Sequence, residues 1–301
     1  MRKFSIGFAL GGGGARGLAH IGVLRVLERN GIFPDSIAGT SMGALIGAMY
    51  SCGMPSDAIE KRCEDFLHTD IFRSLGFDEL AGDGQKTFFR GIADKIKRKL
   101  MSHLSGVKMA FMDKKAVEAM VAYFLPDIGF SGLKIPFSCV AVDICGGRET
   151  VIDNGPLRSA VMSSMAIPGM LPPVEHGEKV LVDGGVIQMI PAKALRCGCC
   201  DFVLGVDVSP KLIAVPAGKL GTALEIVQRS NDITSDMLRE VLSAYADYIL
   251  TPSIGDIKWY EMSRLKDAVR AGEDEMSEKI QELKKRLAEK KRKTFLARLF
   301  S

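Results

Sequence analysis

The chain has 301 residues, 47% apolar and 25% charged, which is the make-up of a globular protein with a sizeable core and excludes global disorder. No run of about 18 apolar residues occurs, and the uncharged stretch 159–174 contains Pro168, Pro172 and Pro173, which excludes a spanning helix there. The formal charge of +4 is unevenly placed: residues 279–301 hold nine Lys/Arg against two Glu.

In chain order, 4–10 reads as a buried strand running straight into four glycines, which fits a strand and loop better than a signal peptide. A helix over 15–30 places Leu18, Ile21, Leu24 and Leu27 on one face. A short strand at 36–39 precedes a helix at 42–51, and Ser56 or Asp57 is placed to cap a further helix. Residues 70–112 lack a clear period and read as an insertion or cap. Beyond them come a helix at 113–124, a hairpin of 137–144 with 149–152 around Gly146-Gly147, a helix near 156–164 and strands at 179–182 and 202–208. Long helices at 220–246 and 260–290 flank a short strand at 248–251. Strands alternating with helices predict a three-layer α/β/α sandwich with a largely parallel central sheet. The seven cysteines, mostly in apolar segments, read as free thiols of a reducing compartment. The Cys197-Gly198-Cys199-Cys200 cluster lacks a second ligand pair at zinc spacing, so no metal site is expected.

Two glycine motifs follow the first two strands. Gly12, Gly14 and Gly17 match G-x-G-x-x-G, but the acidic residue that a dinucleotide site needs after the second strand is missing, and no Gly-Lys-Ser/Thr marks a phosphate loop. That strand ends instead in Gly39-Thr40-Ser41-Met42-Gly43, a G-x-S-x-G turn that exposes a serine between strand and helix. The amides of Gly12, Gly13 and Gly14 are then expected to converge with that of Met42 on one oxyanion. The base is not a histidine in the usual order, since none follows His176. Asp183-Gly184-Gly185, at the end of a short strand, supplies either a turn or the base, a carboxylate whose basicity desolvation can raise.

Gly12-Gly13-Gly14-Ala15-Arg16-Gly17, Gly39-Thr40-Ser41-Met42-Gly43 and Asp183-Gly184-Gly185, with the segment Ser163-Ser164-Met165-Ala166-Ile167-Pro168-Gly169 and Pro172-Pro173 between them, resemble the bacterial patatin-like phospholipases over residues 5–195. The resemblance implies hydrolysis of lipid acyl esters, phospholipid or lysophospholipid, by a Ser41–Asp183 dyad through an acyl-enzyme, without metal or cofactor. It assigns supporting places to Arg16, Gly17, Gly39, Gly43, Gly184 and Gly185, and makes 196–301 the strands and helices that complete the fold. Arg16 fixes the glycine loop or approaches a lipid phosphate, and His20 packs behind it. Gln188 and Met189 stand where members of the family often carry asparagines. Acyltransfer or thioester cleavage on the same dyad is a related alternative, and a membrane-binding protein with a decayed hydrolase core is a non-enzymatic one.

The stretch from Lys86 to Leu104 carries six basic residues against Asp94, with Phe88, Ile92, Ile96, Leu100 and Leu104 at four-residue spacing. It and the basic tail 279–301 either pack on their own domain or lie on an anionic membrane surface. A cytoplasmic location, peripheral on the inner face of the cell membrane, is the corresponding expectation. A nucleic-acid partner is not expected, because one tryptophan and no recognisable binding module accompany the charge.

Overall fold

A computed structural model describes residues 2–76, 112–197, 200–216, 218 and 220–299. Its central strands alternate small with large residues. In β1 (Ile6–Leu10), Gly7 and Ala9 face one side, and Phe8 and Leu10 the other. The same division recurs in β2 (Ser36–Gly39), with Ala38 opposed to Ile37. It recurs again in β7 (Phe202–Val206), where Val203 and Gly205 oppose Phe202, Leu204 and Val206. Because strand side chains alternate with a period of two, each strand gives the sheet one thick face and one thin face.

The thick face packs under α1 (Ala19–Arg29), the fully buried α2 (Met42–Ser51) and α6 (Leu157–Met165). Behind α1 lie α3 (Ser56–Phe66) and α9 (Leu265–Leu299), with Gly22 and Gly272 allowing α1 and α9 to touch backbone to backbone. The thin face receives α7 (Ala192–Cys197), whose Leu195 presses on Gly7 together with Cys200. Helices on both faces of the sheet give the expected three-layer α/β/α sandwich.

Five parallel strands run in the order β3 (Phe137–Asp143), β2, β1, β7, β8 (Tyr248–Leu250), so the C-terminal region completes the central sheet. Three antiparallel strands, β4 (Arg148–Ile152), β5 (Val174–His176) and β6 (Lys179–Asp183), extend it. The register around β3 positions the site. Cys139 pairs with Gly39 and with Ile152, while Ala141 pairs with Thr150 and with Asp183. Since β4 occupies one edge of β3 from Cys139 to Asp143, β2 and β6 share the other edge. Their C-terminal ends approach each other head to head along it.

Several expectations shift. The first helix opens with a 3-10 turn at Gly14–Leu18 before α1 begins. Pro55 caps α3, while Ser56 bonds Glu28 instead, its amide donating at 3.1 Å. The short α4 (Asp70–Ser74) lies where no period was legible, β5 and α7 were not expected, and α9 continues beyond residue 290 to Leu299. α5 (Lys114–Phe124) and α8 (Ala223–Ser243) match their patterns, with Asp113 and Thr222 as side-chain caps. The basic segment 86–104 and most of the expected cap lie outside the described residues. Cys52, Cys63, Cys139, Cys145 and Cys200 are free thiols, Cys145 being exposed.

Candidate active site

Ser41 stands between β2 and α2 at φ 54° and ψ −122°, and it is the only non-glycine with positive φ among the described residues. Such a backbone costs on the order of 1–3 kcal/mol and persists only where neighbours over-determine it. The flanking glycines show how. A Cβ on Gly39 would run into the Ala44 backbone, and one on Gly43 into the Leu10 carbonyl. Thr40 is fixed through its amide to the Leu10 carbonyl at 3.1 Å and its hydroxyl to the Gln188 carbonyl at 3.0 Å. The Ser41 amide itself donates to the buried Ser164 hydroxyl at 3.1 Å.

Asp183 ends β6 and is 5% exposed, next to Ser41 at 7%. The neighbouring Ser41 hydroxyl favours the charged form of its carboxyl, and the Gly185 amide donates to Oδ1 at 2.7 Å. Burial nevertheless prevails and pushes the Asp183 pKa up to about 6, against the downward pull of Ser41 and the Gly185 amide. A Cβ on Gly184 would strike the Val140 carbonyl, so the turn after the acid must be glycine. The 3-10 turn that follows (Gly184–Val186) leads to Gln188, whose amide nitrogen, assigned to face Glu149, donates to that carboxylate at 3.1–3.3 Å. Lys193 pairs with the same carboxylate at 3.3 Å. Gln188 is thereby tied to β4 through Glu149.

The glycine loop is pressed against this pair. The Gly12 amide donates to the Met189 carbonyl at 2.9 Å. An N–H has one proton to give, so Gly12 departs from its expected place among the oxyanion donors. Among the described residues, no protein acceptor takes the amides of Gly13, Gly14 or Met42. Gly14 has φ 57°, and a Cβ on it would collide with the Trp259 carbonyl, which accepts from the Ala15 amide at 2.7 Å. Gly17 leaves room for the Met42 side chain. Arg16 turns back to the Gly13 carbonyl through Nε at 3.3 Å, a bond that serves the loop.

His20 is fully buried, and its Nε2 lies 2.7 Å from the Gly11 carbonyl. Desolvation pulls its pKa down to about 4, so at neutral pH the ring is uncharged and Nε2–H is the donor. Sequence pattern did not single out Thr40, Trp259 or the backbone of 188–189. Ser164 was visible only as part of the small-residue segment before the acid.

Beside the loop, α8 turns its aliphatic side outward. Ile226, Val227, Ile233, Met237 and Val241 are exposed, the last two by 65% and 68%, and Leu212 and Ile213 continue the strip. The inner side is polar and faces the C-terminal ends of the parallel strands: Arg239 pairs at 2.6 Å with Asp207, which directly follows β7, and Asp232 acts electrostatically on Arg16.

The family model of the patatin-like phospholipases matches residues 8–196, well over half the chain. This chain belongs to the patatin-like phospholipase family. An uncharacterised NTE-family protein of Mycobacterium tuberculosis is 31% identical over 204 residues, which is 68% of this chain and 49% of that protein. A lysophospholipase, NTE1, of Candida glabrata is 29% identical over 206 residues, 68% of this chain and 10% of that protein. This chain thus spans about half the length of the mycobacterial relative and a small part of the fungal one. Among solved structures, VipD from Legionella pneumophila superposes with a TM-score of 0.46 at 13% identity, over 91% of this chain and 66% of that one.

Proposed function

We propose that this protein is a serine hydrolase that cleaves acyl esters of lipids, phospholipid or lysophospholipid, through a Ser41–Asp183 dyad. The observation that carries this is the meeting of two strand ends on one edge of β3. They bring a serine on a strained turn beside a buried carboxylate whose pKa is raised to about 6. At neutral pH that carboxylate is ionised yet far more basic than one in water, which suits a general base. As Ser41 Oγ attacks the ester carbonyl, its proton passes to Asp183. The oxyanion is then held by the amides of Gly13, Gly14 and Met42. Collapse of the tetrahedral intermediate expels the alcohol, which takes the proton back, and leaves an acyl-Ser41 ester. Water, deprotonated by Asp183, then releases the fatty acid and regenerates Ser41.

Peripheral contact with a membrane belongs to the same proposal. No described helix is long and apolar enough to cross a bilayer. The basic end of α9 reaches Asp247 through Lys290 at 2.7 Å and Asp201 through Arg298 at 2.6 Å. Those aspartates stand just before β8 and β7, at the edge of the sheet opposite Ser41. A surface held there would face away from the site. The uncharged strip of α8 flanks the glycine loop instead and supports contact at the mouth.

The test is intact mass after exposure to a fluorophosphonate, with and without lipid vesicles. A single adduct on the wild type is expected, absent in Ser41→Ala and slowed at least 1,000-fold in Asp183→Asn. A folded wild type that stays unlabelled under both conditions would rule the hydrolase out.

A further inference from the structure

Two neighbouring serines end α6, and both are buried, yet their hydroxyls do different things. Ser163 bonds back to the Ser159 carbonyl of its own helix at 2.8 Å. Ser164 leaves the helix altogether: its hydroxyl donates to the Val140 carbonyl on β3 at 2.6 Å and accepts from the Ser41 amide at 3.1 Å. A carbonyl can only accept and an amide can only donate, so the group between them must do both, and a hydroxyl is the smallest side chain that can. Two residues on, the Ala166 carbonyl accepts the Asp183 amide at 2.9 Å. The Val140 carbonyl that anchors Ser164 is also the atom against which Gly184, next to the acid, is packed.

We infer that Ser164 is a positioning residue for the acyl-transfer step, which ties the nucleophile turn to the same β3 carbonyl that seats the acid loop. The Ser41 amide lies at the cap of α2, where it has no partner in the helix ladder. In a buried site its direction is set by whatever accepts from it. That acceptor is Ser164, so the direction of the Ser41 Cα–Cβ bond toward Asp183 is fixed from β3 through one hydroxyl. Truncating Ser164 frees both the strained turn and the Val140 carbonyl while leaving every reacting group chemically intact.

The assignment rests on Ser41 being the nucleophile, and the experiment separates the two questions. Wild type, Ser164→Ala, Ser164→Cys and Ser163→Ala are compared on a short, water-soluble ester for kcat, KM, thermal midpoint and the pH dependence of fluorophosphonate labelling. Ser164→Ala is expected to lose 10- to 100-fold in kcat with KM within twofold. Its acidic limb should move upward by half a pH unit or more, because a loosened Ser41 no longer helps hold the Asp183 carboxylate ionised. Ser163→Ala should stay within twofold in kcat with an unmoved limb, whatever its thermal midpoint. Ser164→Cys keeps the volume with weaker bonds and should fall between, so it carries the comparison if the alanine variant does not fold. Two results overturn the role: a labelled wild type with kcat in both Ser164 variants within threefold of it, or both serine positions losing activity in proportion to thermal stability. An unlabelled, inactive wild type removes the nucleophile itself, a different failure.

Discussion

Ser41 and Asp183 arrive at the same edge of β3 from opposite directions, and the surroundings of the two strand ends are built differently. Around Ser41 the chain is held mainly by shape, with the Ser164 hydroxyl as its polar tie: Gly39, Gly43, Gly14 and Gly17 stand where any Cβ would meet backbone or the Met42 side chain, and α2 is buried along its whole length. Around Asp183 it is held largely by polar bonds: the Gly185 amide, the Ala166 carbonyl, Gln188 on Glu149, and Glu149 on Lys193. The difference teaches where each half is vulnerable. A shape-held turn fails when an atom is added. A bond-held loop fails when a partner is taken away.

The comparison breaks first, if it is wrong, at Gly43. Gly43→Ala is expected to cost about 3 kcal/mol or more, or to prevent folding, because the new methyl meets the Leu10 carbonyl and a strand of the core cannot move aside. A melt by circular dichroism that shifts by only a few degrees would show that shape does not hold this side.

Asp183→Asn should act in the opposite direction on stability while abolishing turnover. Between pH 4 and about 6 the folded chain keeps a proton on Asp183 that the unfolded chain has already lost, so native stability falls as pH rises through that window. Removing the charge should therefore stabilise the fold at pH 7 by on the order of 2–3 kcal/mol. His20 has the contrary slope. Its pKa is held down to about 4, so from there to about 6.5 the unfolded chain binds the extra proton and stability rises with pH. The two slopes largely offset each other in the wild type. Urea titrations of Asp183→Asn at pH 4.5 and 6.5 should expose a rising slope to which His20 contributes most, and a flat profile in the variant would contradict the lowered pKa of His20. The smallest effect is expected at Gln188→Ala, about 1–2 kcal/mol with a several-fold slower labelling rate, from the lost bond to Glu149. Labelling at the wild-type rate would mean that the Gly184 and Gly185 contacts suffice.

What the sequence made legible follows the same division. Steric demands are written in residue type, so the glycine blocks and Ser41 were recognisable before any geometry. Asp183 was recognisable because its turn also needs Gly184. Polar bonding to main chain leaves little trace: the carbonyls of Gln188, Met189 and Trp259 belong to residues whose side chains do not announce them, and the Gly12 amide was assigned to the oxyanion while it serves Met189. Length mattered as well. β5 has three residues after Pro172-Pro173, and α7 has six, too few for either period to show, although Pro191 just before α7 was a usable start signal. α8 was expected as a helix, but only its burial reveals that its aliphatic side faces outward.

Trp259 is the single tryptophan of the chain, and its carbonyl holds the Ala15 amide while its backbone and Cβ lie against Gly14. Selectively excited tryptophan emission of the protein therefore originates beside the glycine loop. Any ligand, inhibitor or interface that displaces that loop can be followed in real time on unlabelled protein, with stopped-flow fluorescence reporting loop movement separately from the appearance of product.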